Sequence, residues 1–385
     1  LATQAEVGFR GPDQLAWASV LGSERDNVRS AIEWALASGR GADASAIIAG
    51  LSYGWYVGGA ASEGRLLVGS VLAHGDAGSV EHAALAHTWF AWLSQFTAGM
   101  TADVAHHAER GVELARGTTP RVFGTAAVVA SLVRGFQGRT DAAVELIDEA
   151  AAQLAGEPDA WAQAWVDWAS SGLALKAGNS EEAATLLRRS VEGFASEGDR
   201  CGLAVASIRL SELAEGRGDH VEAIAAATAA YEMFLAFGVQ AFNASTLATR
   251  LGNLAAGQGR FDDASDWHDH ALSRAQEGAY PGAIAQALSG MARAAVLQGR
   301  ADDAEAWHRE ALAIYRTTGS VEGAAASLAS LGSIAAGKGD HRRAVELYEQ
   351  SLAQASLGRD QRAIALAAEG MAGSAAVLAH EALVT

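Results

Sequence analysis

The chain has 385 residues, half of them apolar, which is enough for more than one globular core or for a solenoid that grows in one direction. Its net charge is −17, Lys176 and Lys338 are its only lysines, and its arginines are scattered. That excludes the clustered positive surface needed to grip nucleic acid or an anionic membrane, and the single cysteine, Cys201, excludes an intrachain disulfide.

Four prolines against abundant alanine favour helix throughout. Residues 1–40 carry Val28, Ala31, Ile32, Ala35 and Leu36 as an apolar stripe at helical spacing. This predicts one amphipathic helix, or two with a break near Gly22. Residues 41–116 read as two degenerate helical hairpins turning at Gly59 and Gly99. Trp92 and Val104 stand there at positions that are small further on.

From 117 to 358 a pattern recurs on the glycines Gly138, Gly178, Gly218, Gly259, Gly299 and Gly339, at intervals of 40, 40, 41, 40 and 40 residues. Seven residues before each glycine stand Ser131, Ser171, Ser211, Gly252, Ala292 and Gly332. Five after it, alanine recurs from Ala143 to Ala344, and twelve after it stands alanine or serine, from Ala150 to Ser351. Small residues at three fixed positions let helix axes approach to about 8 Å. Each unit therefore reads as helix A, a glycine turn, then helix B; the glycine is left-handed and the polar residue after it helps cap helix B. In the last unit the predicted helices are Glu322–Ala336 and Arg342–Ala355. Residues 359–385 supply a capping helix, Asp360–Leu383. The fold class is all-α, an α-α superhelical solenoid with a period of about 40 residues.

Leu331-Gly332, Gly339-Asp340, Ala344, Tyr348, Ser351 and Leu352 resemble a tetratricopeptide repeat (TPR). The usual period is ~34 residues; the longer one here, without a closing proline, is similar to TPR arrays of bacterial signal-transduction ATPases. The string from Glu24 to Leu36 resembles the junction that follows the nucleotide-binding and winged-helix domains of STAND-class regulators, the large ATP-binding LuxR-type and AfsR-type transcription regulators. That resemblance implies a sensor region that binds an inducer or partner and restrains an ATPase domain of the parent chain. Neither the ATPase nor the DNA-binding domain is present in these residues. The start lacks a methionine, as expected of a segment from a longer protein. No basic leader and no uninterrupted apolar run is evident, so no membrane partner is expected and the location is read as cytoplasmic.

Catalytic motifs fail on context. Gly332 to Lys338 has Walker A spacing, but Gly339 follows where the Mg²⁺-binding hydroxyl belongs, and a packing helix stands where a strand is required. His268 and His308 share one phase of successive helices B, too far apart to share a metal. Cys201 reads as a buried structural thiol. No catalytic residue, cofactor site or metal site is assigned.

Groove-lining residues follow from the offsets that face the inner surface of helix A. They include Trp89 and Phe96, Trp165 and Trp168, Glu212, Asn253, Gln286 and Arg293. The lining turns from aromatic to polar along the chain, which suits a protein, peptide or small-molecule effector. Trp161, Trp165 and Trp168 also have the i, i+4, i+7 spacing of a core stripe, and both readings remain open. A stand-alone binding module and an assembly scaffold are the alternatives to a regulator's sensor.

Overall fold

The computed structural model describes residues 2–76, 78–237, 242–358 and 360–384, and every regular element among them is an α-helix. The chain divides into two compact units, Leu1–Asn243 and Ala244–Thr385. The division falls inside the stretch read from sequence as one array.

The first unit opens with three short helices, α1 (Ala2–Phe9), α2 (Gln14–Ser23) and α3 (Arg25–Ala37). Hairpins follow: α4 (Gly41–Val57) with α5 (Ala61–Leu72), α6 (Val80–Thr97) with α7 (Ala102–Ala115), and α8 (Pro120–Phe136) with α9 (Thr140–Gly156). Two more close the unit: α10 (Ala160–Lys176) with α11 (Ser180–Glu197), and α12 (Arg200–Gly216) with α13 (His220–Ala236). The second unit holds α14 (Phe242–Gly257) with α15 (Phe261–Glu277), α16 (Pro281–Leu297) with α17 (Ala301–Thr318), and α18 (Val321–Gly337) with α19 (His341–Gly358). A final helix, α20 (Gln361–Val384), packs on α18 and α19.

The glycine landmarks end each helix A as a local motif. All six take φ between +73° and +82°. The residue after each donates its N–H to a carbonyl five residues back, as in Asn179 to Ala174 at 2.8 Å and Asp340 to Ala335 at 2.9 Å. This is the Schellman arrangement, which needs a left-handed residue at C′. The polar residue after the glycine caps helix B by its side chain only where it is aspartate. Asp219 accepts from the Glu222 N–H at 3.0 Å, and Asp340 from Arg343 at 3.1 Å. Arg139, Arg260 and Arg300 lack a side-chain acceptor, and Asn179 turns to Glu182 instead. The expected cap is therefore absent in those units.

The small positions sit at helix crossings and are buried. Ala143, Ala223, Ala264, Ala304 and Ala344 are wholly inaccessible, as are Ser190 and Ser351. At two crossings a helix-B ring lies over a helix-A glycine, His268 on Gly252 and Tyr348 on Gly332, where even a methyl group would crowd the ring. In the first unit α4, α6, α8, α10 and α12 contact one another in succession, so their side chains share one continuous face.

Among the described residues one helical segment, Ala363–Leu383, is long and apolar enough to cross a membrane, by length and composition, with mean hydropathy 1.4. The sequence reading had found no such run. Nine of its 21 residues are alanine, and it carries Glu369 and Glu381.

Candidate ligand groove

Aromatic residues from the helix-A face of the first unit meet in one cluster. Tyr53 of α4 lies 5.6 Å from Trp89 of α6 and 5.3 Å from Trp161 of α10, centroid to centroid. Trp92 of α6 meets Trp165 edge-on at 5.8 Å, and Trp165 meets Trp168 at 5.5 Å. Phe96, half-buried, stacks on Tyr56 at 5.5 Å. These edge-on and tilted contacts satisfy the ring quadrupoles. Helical spacing puts Trp161, Trp165 and Trp168 on one face of α10, where α8 packs and the rings of Tyr53 from α4 and Trp92 from α6 reach it.

The cluster surrounds a narrow, half-open apolar hollow of about 20 Å³, walled by Tyr53, Trp89, Trp92, Val128, Trp161 and Trp165. Its tryptophans are only 5–6 % exposed. They are thus both buried against one another and the walls of a cavity, which the core and groove readings had treated as opposites. The hollow has room for about one water and is far below the ~300–1,000 Å³ of ordinary small-molecule pockets, so a ligand group would enter only by parting the rings.

A polar node joins two of the walls, Tyr53 and Trp161. Asp199, wholly buried at the start of α12, accepts from the Tyr53 hydroxyl at 2.7 Å, the Trp161 indole at 2.7 Å and the Gln14 amide at 2.8 Å. It also caps α12 by accepting from the Gly202 N–H at 2.8 Å. Burial pushes the Asp199 carboxyl up from its ordinary range, while the four donated hydrogen bonds pull it down. Burial, reinforced by the Asp199 charge, holds the Tyr53 phenol well above its usual value, so Tyr53 remains a donor. The neighbouring Cys201 thiol is pushed up by the same burial, which suppresses the nucleophilic thiolate.

Other donors in the cluster have no acceptor. The indole N–H groups of Trp92, Trp165 and Trp168 are buried without a hydrogen-bond partner in the protein. Such groups are uncommon, and each costs about 1–3 kcal/mol.

The remaining groove candidates stand elsewhere. Glu212 is exposed on α12. In the second unit, Gln286 of α16 accepts from Thr246 of α14 at 3.3 Å, and the Asn253 side chain lies against Gly290. Arg293 is exposed on α16, and its charge bears on two buried imidazoles, His268 and His308. Both imidazoles are held down to about 4 by burial first and Arg293 second. They pack as neutral core rings. Among the described residues no three His, Cys, Asp or Glu side chains are grouped to hold a metal.

Tyr53, Tyr56, Trp92, Asp199 and Gln14 were not among the groove candidates. Tyr53 and Tyr56 lie six and three residues before Gly59, so the offset rule applied to that turn would have found them. Trp92 was visible as a large side chain at a small position. Nothing local joins Gln14 to Asp199, which are 185 residues apart.

Two overlapping stretches, residues 243–317 and 283–356, match the tetratricopeptide repeat family. No curated protein matches the sequence. Among solved structures the chain is similar to a Rap protein complexed with competence and sporulation factor, with TM-score 0.56 and 13 % identity over 84 % of this chain and 79 % of that one. It is similar to a STAND protein with a tetratricopeptide repeat sensor from Pyrococcus horikoshii, with TM-score 0.55 and 13 % identity over 84 % of this chain. There it spans 54 % of the other chain, about half its length. A human IFIT1 dimer with m7Gppp-AAAA gives TM-score 0.51 and 14 % identity over 81 % and 72 % of the two chains. At these identities the likeness is one of fold: an all-α, TPR-like repeat protein.

Proposed function

We propose that this chain is a non-enzymatic recognition domain whose aromatic rings in the first unit part to take a side chain of a peptide or protein effector into the hollow between them. The observation that carries this reading is the cluster of five aromatic rings around the hollow, with the unpaired indole N–H groups of Trp92 and Trp165 among its walls. Rigid aromatics supply contact area at small entropic cost, and an effector carbonyl would satisfy donors that the protein leaves unmet. The Rap structure, held with a sporulation factor, supports a recognition role for this type of fold. The IFIT1 structure holds a capped oligonucleotide, but a net charge of −17 opposes a polyanionic ligand here.

The parent protein on this reading is a cytoplasmic STAND-type transcription regulator, with an adjoining ATPase domain whose state the bound effector shifts. The Glu24–Leu36 resemblance and the likeness to the Pyrococcus sensor support it.

Panning a random peptide library on the chain and titrating the recovered peptides by calorimetry tests the binding role. Peptides of the expected kind lose at least tenfold in affinity against Trp89→Ala or Trp165→Ala, with circular dichroism unchanged. Peptides that bind these variants as well as wild type would place recognition elsewhere.

A further inference from the structure

Arg209 stands on α12 with its guanidinium over the Trp168 ring, Cζ 4.4 Å from the centroid. Its Nε is buried and has no hydrogen-bond partner. No carboxylate lies within ion-pair distance of it among the described residues, although the chain carries 45 acidic side chains. Burial lowers its pKa from the ordinary value, and Glu212, one turn on, is the charge that opposes the shift.

A guanidinium taken part-way out of water normally finds a carboxylate, because an uncompensated charge is costly. Here the structure makes room for the group without pairing it. A Cβ on Gly172 would fall 1.5 Å from an Arg209 terminal nitrogen, so only glycine at that point of α10 lets the fork lie flat on Trp168. The Trp168 indole N–H beside it is also buried and unpaired. Trp168 in turn touches Trp165, a wall of the hollow, at 5.5 Å. Unmet donors therefore run from the hollow, along one face of α10, to the guanidinium on α12.

We infer that Arg209 anchors a carboxylate of the effector, so that the effector sets a free C-terminus or an acidic side chain beside the bulky apolar residue that enters the hollow. The inference rests on the binding reading above and names its chemistry. The fork of a guanidinium pairs two oxygens at once, and stacking on Trp168 holds it in orientation before the ligand arrives. One cation, partly offset by Glu212, can pair at most a single negative charge; a phosphate dianion would need a second cation. The one lysine of this unit, Lys176, lies instead over Phe136.

Three probes decide it: acetyl-Ala-Ala-Leu with a free carboxylate, the same peptide as its C-terminal amide, and acetyl-Ala-Asp-Leu amide. Binding is followed by the indole N–H resonances of Trp165 and Trp168 and the Arg209 Nε–H resonance, assigned with Trp165→Phe, Trp168→Phe and Arg209→Gln. At least one carboxylate probe should bind about tenfold more tightly than the neutral amide and move the Arg209 signal. The tighter of the two identifies the carboxylate as terminal or side-chain. Arg209→Gln should abolish the preference and leave the neutral probe's affinity unchanged. Gly172→Ala should also abolish it by pushing the fork off Trp168, while the gain in helix propensity keeps the fold intact. Equal binding of acid and amide, with the Trp165 signal moving, would overturn the carboxylate site and leave the hollow standing. Silence of both indole signals with every probe would overturn the hollow as well. Inorganic phosphate moving the Arg209 signal at lower concentration than the carboxylate peptides would overturn the choice of carboxylate.

Discussion

His268 in α15 and His308 in α17 are 1 % and 3 % exposed, and neither ring nitrogen of either has a hydrogen-bond partner. Their pKa values are held down to about 4 from 6.5, by burial and then by Arg293. The folded pKa is depressed, so below pH 6.5 the unfolded chain binds protons that the folded chain refuses. The stabilisation is complete above 6.5 and is lost as pH falls toward 4. Linkage makes the loss about 2 kcal/mol per histidine at pH 5 and about 3 kcal/mol near pH 4. His268→Leu removes one titrating group, so its stability should fall by about 2 kcal/mol less than that of wild type between pH 7 and pH 5. Urea unfolding of the full chain at both pH values measures this, whatever the variant's baseline. Wild type also carries His87 and His107, whose Nδ1 atoms lie 2.7 Å apart and whose pKa values burial lowers; comparison with the variant cancels their contribution. Equal pH dependence in wild type and variant would refute the reasoning, as would an NMR titration placing either imidazole near 6.5.

Asp199→Ala leaves the Tyr53, Trp161, Gln14 and Gly202 donors without their acceptor and should cost about 3–5 kcal/mol in urea unfolding. A loss below about 1 kcal/mol would show the node to be replaceable by water. Ala264→Leu should cost about 1–3 kcal/mol by overpacking a wholly buried crossing, whereas Val221→Leu, at an exposed site, should be silent. Gly178→Ala, at φ +82°, should lower stability by about 1 kcal/mol or more, while Gly216→Ala, inside α12 with open space around it, should not. Thermal unfolding distinguishes these variants, and equal effects at the two glycines would contradict the turn assignment.

Helix ends and crossings were legible because their causes are local. A left-handed turn needs glycine within one or two residues of the helix it ends, and a close crossing admits only a small side chain, so Gly339 and Ala344 declare their roles wherever the partner helix lies. The helices predicted over Glu322–Ala336 and Arg342–Ala355 accordingly formed as Val321–Gly337 and His341–Gly358. Side-chain capping was less legible: the turn places any polar residue after the glycine, but only aspartate there brings an acceptor within reach of the next helix.

What the amino-acid order determined by itself was the repeat, its all-helical character and the aromatic-to-polar drift along the helix-A face. Only the tertiary structure decided that Trp161 and Trp165 are buried yet wall a hollow, with Trp168 packed beside them, since their burial depends on rings from α4 and α6 and on α8 arriving from distant parts of the chain. It alone decided that Asp199 is satisfied four times while Arg209 is left without an ion pair. Whether a charge is compensated depends on which groups long-range packing brings within about 4 Å, and no spacing along one helix contains that information.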